Sequence, residues 1–187
     1  MPESPEMLPP DPWRGFLAAL DSLIAEPADL HCFGGFVVSL QYGLSRETSD
    51  IDVLAAHPMT QLPELQRLAG ENSSLHKRFR VYLQVVAIAT YPEDYEERLV
   101  HMWPEAPFER LRLFALEPHD LALTKIERNS DVDRQDVLAL AKAGLVDAVT
   151  LRRRYKDEFR PNLAAGAEKV DLTMDLWIEM ISEVSTN

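Results

Sequence analysis

The segment 'DIDVLAAHP' (residues 50–58) constrains the fold most strongly, because it places two acidic residues inside a strand-forming apolar run. In a β-strand, residues two apart lie on one face, roughly 7 Å from each other. Asp50 and Asp52 are therefore predicted to share one face, while Ile51 and Val53 enter the core. Two close, partly buried carboxylates are costly to keep charged unless a cation joins them. The residues alone leave two interpretations open, a site for Mg²⁺ or Mn²⁺ and a solvent-facing acidic pair on an edge strand.

A glycine pair lies just upstream of these aspartates. The apolar run 'DLHCF' predicts a strand that ends at Gly34 and Gly35, and 'FVVSLQYGL' predicts a following helix. Glycines allow the backbone to approach phosphate oxygens, and a helix N-terminus offers unpaired N–H donors. The pair is not a P-loop, since no Gly-Lys-Ser/Thr follows, and it lacks the third glycine of the dinucleotide fingerprint. A simple tight turn is the alternative interpretation.

Charge and composition exclude several classes of function. The 187 residues carry a formal net charge of -12, which disfavours a broad face for duplex DNA. Two basic clusters, 'HKRFR' (residues 76–80) and 'RRRYK' (residues 152–156), are either solvated faces or contacts for a partner or polyanion. The sequence contains no apolar run long enough for a transmembrane helix. The single cysteine, Cys32, cannot form an internal disulfide, so the expected location is the cytoplasm.

The order of predicted elements indicates an α+β fold with a C-terminal helical layer. Strands and helices alternate over roughly the first 115 residues, and helices dominate from Pro118 onward. The first helix is expected to begin with Asp11 as N-cap and Pro12 at its first position. The longest predicted strand is 'FRVYLQVVAIAT' (residues 79–90). We expect a flexible lead-in at 1–10, an α/β core at 11–116, and a helical region at 117–187 that completes the same compact unit.

Two motifs resemble a known superfamily. The combination of 'FGG', a helix and 'RETSDID' resembles the signature of the DNA polymerase β-like nucleotidyltransferases. The wording 'GGFVVSLQYGLSRETSDIDVL' is similar to the AbiEii-type group of toxin-related members, in particular a short, poorly characterised branch. The later segment 'PHDLALTKIERNSDVDRQDVLAL' resembles that group's second motif, a lysine-bearing helix followed by an Asp-x-x-Asp helix. The resemblance implies a nucleotidyltransferase-like mixed sheet flanked by helices.

The resemblance also assigns roles around the first motif. Asp50 and Asp52 would hold Mg²⁺ or Mn²⁺ and act as catalytic residues. The residues expected to bind the triphosphate or the nucleotide are Gly34, Gly35, Arg46, Thr48 and Ser49. Of these, Arg46 either contacts the nucleotide or pairs with a neighbouring acid such as Glu47.

In the second motif, Lys125 would reach the phosphates as a catalytic cation. Asp133 or Asp136 would orient this lysine or a second cation, with Asp136 as the further catalytic residue and Asp133 on the nucleotide-binding side. Helical spacing is compatible with this assignment, because residues three apart share a face. A snorkelling surface lysine and ordinary acidic residues at a helix N-terminus are the alternatives.

The implied function is metal-dependent transfer of a nucleotidyl group from a nucleoside triphosphate to a hydroxyl acceptor, either an RNA 3′ end or a protein side chain. A toxin role, with a cognate antitoxin as partner, follows from the same resemblance. Many superfamily members carry a third carboxylate on a later strand, whereas the matching strand here has only Gln84, which cannot take a proton at neutral pH. This departure supports the alternative, a non-catalytic binding or regulatory protein with the same fold.

Overall fold

The computed structural model describes residues 8–44, 47–86, 89–163 and 166–185. Eight α-helices and five β-strands lie in this described part of the chain: α1 (Trp13–Leu23), β1 (Ala28–Phe33), α2 (Gly34–Leu40), β2 (Asp50–His57), α3 (Leu62–Ala69), α4 (Ser74–Phe79), β3 (Tyr82–Val85), β4 (Val100–Met102), β5 (Leu111–Ala115), α5 (Pro118–Leu123), α6 (Asp131–Lys142), α7 (Ala148–Arg154) and α8 (Ala167–Ser185). The chain divides into two units, Met1–Ala87 with Leu99–Ala115, and Ile88–Arg98 with Leu116–Asn187. None of the helices described is both long and apolar enough to cross a bilayer.

The first unit is built on a mixed five-stranded sheet in the order β3-β2-β1-β5-β4. The central strand β1 runs antiparallel to β2 and parallel to β5. Strand β3 pairs with β2 in parallel, and β4 pairs with β5 in the antiparallel direction. The predicted α+β class with a mixed sheet and flanking helices is therefore confirmed.

One face of this sheet carries the core of the first unit. Leu30, Ile51, Val53 and Leu83 are fully buried on strands β1, β2 and β3. Helix α1 supplies the covering layer through Phe16, Leu17 and Leu20, which are also fully buried. Burial of such side chains is the main stabilising contribution in a domain of this size.

A β-bulge interrupts the pairing of β1 with β2. His31 pairs with Ala55, but the next pair is Cys32 with Val53, so Leu54 is passed over. The bulge shifts the register by one residue, and as a result Asp52 stands opposite Phe33, the last residue of β1. This shift brings the end of β1, and the glycines that follow it, alongside Asp52.

The second unit is helical, as predicted from Pro118 onward. Helices α6, α7 and α8 enclose a core in which Leu140, Leu151, Phe159 and Ile181 are fully buried and Trp177 is 1% exposed. A π-helical segment, Tyr155–Phe159, continues α7, and a 3-10 turn, Arg160–Asn162, follows it.

Charged groups are also buried in the second unit. Arg98 donates to Asp120 at 2.8 Å and to Glu158 at 2.5 Å, and Arg154 donates to Asp120 at 2.9 Å. Because Asp120 is fully buried, these two guanidinium groups supply the charge and hydrogen bonds that its carboxylate needs.

Several predicted elements were wrong in their boundaries. Helix α1 begins at Trp13 with Pro12, not Asp11, as its N-cap. The predicted strand 79–90 is observed as Tyr82–Val85, with residues 87 and 88 outside the described part of the chain. Its first residue, Phe79, instead ends α4, a helix that sequence reasoning missed. The Ser73 side chain caps α4 by accepting a hydrogen bond from His76 N, which favours helix over strand at this point.

Further differences concern short elements and undescribed residues. Helix α5 ends at Leu123, so the predicted lysine lies in the turn that follows and not on the helix. Strand β4 was not predicted, and a 3-10 turn, Tyr95–Arg98, precedes it. Residues 1–7 of the predicted lead-in lie outside the described residues. That the helical region completes one compact unit with the core stays a prediction.

Candidate functional site

The aspartates of strand β2 lie on one face of the sheet, as the alternation predicted. Asp50 and Asp52 are half-buried, whereas Ile51 and Val53 are fully buried on the opposite face. Strand β3 lies alongside, with Tyr82 in register with Asp50 and Gln84 in register with Asp52. One face of β2 is therefore packed in the apolar core, and the face that carries the two carboxylates is partly accessible to solvent.

Gly34 lies directly against the carboxylate of Asp52. A Cβ atom built on Gly34 would be 2.9 Å from Asp52 Cγ and closer still to its Oδ2. Gly34 also has a φ of +70°, in the left-handed region that favours glycine. Both the backbone angle and the space therefore require glycine here. Helix α2 begins at Gly34, and its N-cap residue, Phe33, has no side-chain acceptor. Phe33 therefore does not cap the first N–H groups of the helix.

Hydroxyl groups border the first aspartate. Thr48 Oγ1 lies 3.3 Å from Asp50 Oδ1 and 3.2 Å from the carbonyl oxygen of Asp50, so its proton is shared between these acceptors. Ser49 is exposed, and its carbonyl oxygen accepts a hydrogen bond from Tyr82 N at 3.0 Å. Gly35 is half-buried in the first turn of α2. The predicted nucleotide contact Arg46 lies outside the described residues.

Two neighbouring groups have raised pKa values, with burial as the largest cause and the aspartate charges as a further one. Burial, with a contribution from the Asp52 charge, raises the pKa of the Cys32 thiol far above its usual range. Burial and the charges of Asp50, Glu71 and Asp52 raise the pKa of the Tyr82 phenol. Both groups therefore stay protonated and neutral at physiological pH. A bound cation would neutralise the negative charge of Asp50 and Asp52.

The position beside Asp52 on β3 belongs to Gln84. Its side chain is exposed, and it lies on the same sheet face as the two aspartates because parallel partners in register point the same way. An amide can donate and accept hydrogen bonds but does not take a proton.

The neighbouring Tyr82 packs against His76 with ring centroids 4.8 Å apart. His76 Nδ1 accepts from Asn72 N at 2.9 Å, so in the neutral ring the proton lies on Nε2.

Lys125 lies in a buried charge cluster of the second unit. Its side chain is 3% exposed, and its Nζ atom lies 2.9 Å from Asp136 Oδ2 and 3.9 Å from Asp133 Oδ1. The structure thus brings together the three predicted residues of the second motif. Two carboxylates around one ammonium offset the cost of burying it.

Asp133 anchors the start of α6. It is fully buried and accepts hydrogen bonds from the Arg128 guanidinium at 2.5 and 2.8 Å and from the Ser130 backbone N–H at 2.9 Å. The Ser130 side chain in turn accepts from Asp133 N, which completes a capping box. Burial opposes ionisation of Asp133, but the bonds from Arg128 and Ser130 outweigh it and lower its pKa to about 2.

Arg128 and Ser130 were not among the predicted site residues. The Ser-x-x-Asp spacing from Ser130 to Asp133, just before the apolar run of α6, was the available signal for this capping arrangement. The predicted residues fall into two groups by unit. Gly34, Gly35, Thr48, Ser49 and the two aspartates belong to the first, and Lys125, Asp133 and Asp136 belong to the second.

A mixed sheet with two strand carboxylates beside a glycine pair is typical of the nucleotidyltransferases that the sequence motifs resemble. Residues 17–183 match a family described as "Nucleotidyltransferase of unknown function (DUF6036)". The match covers most of the chain, and the protein belongs to this family. Neither a curated protein nor a solved structure gives a significant match.

Proposed function

We propose that the protein transfers a nucleotidyl group from a nucleoside triphosphate to a hydroxyl acceptor, with a divalent cation held at Asp50 and Asp52. The observation that carries this proposal is the close approach of the Asp52 carboxylate to Gly34, with Asp50 two residues away on the same strand face. Membership in a nucleotidyltransferase family supports the reaction class.

The residues present fit Mg²⁺ or Mn²⁺. Both cations prefer oxygen ligands, and Mg²⁺ is usually bound by one or two carboxylates while it retains water and phosphate ligands. Asp50 and Asp52 supply such oxygens and are only half-buried, so water and phosphate can approach. When bound, the cation would neutralise charge on the triphosphate and on the leaving pyrophosphate.

The chain's own groups would orient the triphosphate. The N–H groups of Gly34 and Gly35 lie in the first turn of α2 and would donate to phosphate oxygens, since the N-cap Phe33 makes no side-chain cap there. Thr48 and Ser49 would add hydroxyl donors beside Asp50. Asp52, which lies against Gly34, would keep the carboxylate pair close to the bound phosphates.

The second motif contributes to this proposal only through the resemblance. Roles for Lys125, Asp133 and Asp136 toward phosphate or a second cation stay predictions. Their observed contacts support a positioning role, since Asp136 holds the Lys125 ammonium at 2.9 Å and fixes its direction.

The acceptor and the biological role also stay proposals from the resemblance. The acceptor hydroxyl would belong to an RNA 3′ end or to a protein side chain. A toxin role with a cognate antitoxin, and the narrower AbiEii-type assignment, belong to the same set of proposals. A net charge of -12 favours a small or protein acceptor over unaided capture of a long RNA.

A second candidate function rests on Gln84. Because this amide lies beside Asp52 and cannot act as a general base, the protein could keep the fold and nucleotide binding without turnover. In this case it would be a binding or regulatory protein.

The test is transfer of α-labelled nucleotide in the presence of Mg²⁺, with each of the four nucleoside triphosphates and with total RNA or cell protein as acceptor. We expect labelled product, reduced about 100-fold or more in Asp50→Asn and Asp52→Asn, as for other groups that stabilise transition-state charge. Glu64→Gln is the matched control, because it removes an exposed carboxylate of α3 that pairs with Arg67. This variant should retain full activity.

Calorimetry with Mn²⁺ and each nucleotide separates the two candidates. Binding that depends on Asp50 and Asp52, without transfer to any acceptor, would favour the non-catalytic function. Absence of both cation and nucleotide binding would rule out both.

A further inference from the structure

The exposed surface of α7 and α8 carries unusually accessible apolar side chains. Val149 is 80% exposed, Leu172 is 67% exposed and Leu176 is 64% exposed. These are the three most exposed large apolar side chains among the described residues. The inward faces of the same helices are already filled by Leu151, Trp177 and others, so this outer surface contributes nothing to the core.

Between α7 and α8 lies a groove of about 540 Å³. Val149 and Ile178 supply apolar surface, and Arg152, Arg153 and Lys156 supply a basic edge. A spacing of i, i+3, i+4 and i+7 places four of these residues on one side of α7 and its continuation: Val149, Arg152, Arg153 and Lys156. The groove therefore combines an apolar floor with positive charge on a chain whose net charge is -12.

Part of this positive charge is unpaired. Arg152 donates to Asp175 of α8 at 2.8 Å. Arg153 and Lys156 have no ion-pair or hydrogen-bond partner within the portions of the chain that the structure covers. Asp157 also lines the groove, so an occupant is expected to direct its acidic groups toward Arg153 and Lys156 and its apolar groups toward the floor.

The complementary surface is present on the same chain. Four exposed residues form a stripe along one side of α8, because they are spaced four, three and four residues apart: Leu172, Leu176, Glu179 and Glu183. This stripe is apolar at its N-terminal end and acidic at its C-terminal end. An amphipathic acidic helix is the shape and charge that an apolar groove with a basic edge accepts.

We propose that two copies of the chain associate through this surface. The exposed stripe of α8 from each copy packs into the α7–α8 groove of the other, with Leu172 and Leu176 against Val149 and Ile178, and Glu179 and Glu183 near Arg153 and Lys156. Such an arrangement is reciprocal, as a two-fold symmetric dimer requires. It involves only residues of the second unit and does not depend on the proposed catalytic function.

Sedimentation velocity over a range of protein concentrations tests the proposal. The wild type should form a dimer, and Leu176→Glu should raise the dissociation constant at least about tenfold, as expected for a central apolar contact. Leu23→Glu is the matched control, since Leu23 is a 52% exposed leucine at the end of α1. This control should leave association unchanged.

Charge reversal gives a second, independent measurement. Arg153→Glu with Lys156→Glu should weaken association, and the further addition of Glu179→Lys and Glu183→Lys should restore it, which a merely misfolded variant could not do. Circular dichroism confirms that each variant is folded. A wild type that stays monomeric, a dimer insensitive to Leu176→Glu, or failure of the charge swap to restore association in a folded variant would overturn the proposal.

Discussion

At the scale of single residues, the absence of a side chain at Gly34 lets the Asp52 carboxylate lie directly against the backbone of the turn. Gly34→Ala should cost about 1–2 kcal/mol for the left-handed backbone. It should also displace Asp52, because the added Cβ would lie 2.9 Å from Asp52 Cγ. We expect loss of Mn²⁺ binding by calorimetry together with lower stability by urea denaturation.

Gly43→Ala is the matched control for this substitution. Gly43 has a φ of +66°, nearly that of Gly34, but nothing lies within 4 Å of a Cβ built there. The two variants should lose similar free energy of unfolding from backbone strain, while only Gly34→Ala loses cation affinity. Equal Mn²⁺ affinity in both variants would show that the contact between Gly34 and Asp52 has no role in cation binding.

The lack of a carboxylate at position 84, where Gln84 stands, can be tested by substitution. Gln84→Glu places a carboxylate beside Asp52 without much change in side-chain volume. If proton removal from the acceptor limits transfer, the rate should rise about 100-fold, the usual contribution of a general base. Gln84→Ala, which removes the amide without adding a base, should give no increase. An unchanged or lower rate in Gln84→Glu would show that this position does not limit the reaction.

The sequence predicted the shared face of Asp50 and Asp52 because side-chain alternation along a strand is a local property. The approach of Asp52 to Gly34 was not predictable in the same way. It depends on the bulge at Leu54, which sets the register between β1 and β2 and leaves no clear pattern in the sequence.

At the scale of elements, the start of α6 depends on the buried carboxylate of Asp133. Asp133→Asn should destabilise the protein by about 3–5 kcal/mol, since Arg128 and buried Lys125 lose a charged partner. Asp131→Asn is the control, because Asp131 lies in the same helical turn but its side chain is 85% exposed. This control should change stability by about 0.5 kcal/mol or less.

The same carboxylate predicts a dependence of stability on pH. The pKa of Asp133 is lowered from 3.8 to about 2, so its contribution is fully present above about pH 4 and is lost as the pH falls toward 2. Urea denaturation at a series of pH values should show a shallower loss of stability over this window in Asp133→Asn than in Asp131→Asn. Identical slopes in the two variants would contradict the assignment of this pKa.

Elements with strong local signals were predicted, and elements set by packing were not. Strand β1, strand β2 and helix α6 follow from the residue patterns of their own segments. Helix α4 was missed, and its last residue, Phe79, was assigned to a strand because Phe79 and Val81 are apolar. Phe79 instead packs edge-to-face on Phe16 of α1, with centroids 6.2 Å apart, a tertiary contact that the local sequence does not reveal.

At the scale of the whole molecule, ligand binding should be visible as added stability. A nucleoside triphosphate with Mg²⁺ at 100 times its dissociation constant should raise the free energy of unfolding by about 2.7 kcal/mol. Thermal unfolding with each of the four nucleotides should identify which one binds. The increase should vanish in Asp52→Asn and persist in Glu64→Gln. An equal increase in both variants would place the nucleotide away from the carboxylate pair.

The most direct test is a crystal structure of the protein soaked with Mn²⁺ and the nucleotide that gives the largest stabilisation, with the metal located by its anomalous scattering. We predict one Mn²⁺ peak within about 2.2 Å of carboxylate oxygens of Asp50 and Asp52, with triphosphate oxygens against Gly34 and Gly35. A nucleotide bound elsewhere, or a Mn²⁺ peak that neither aspartate contacts, would contradict it.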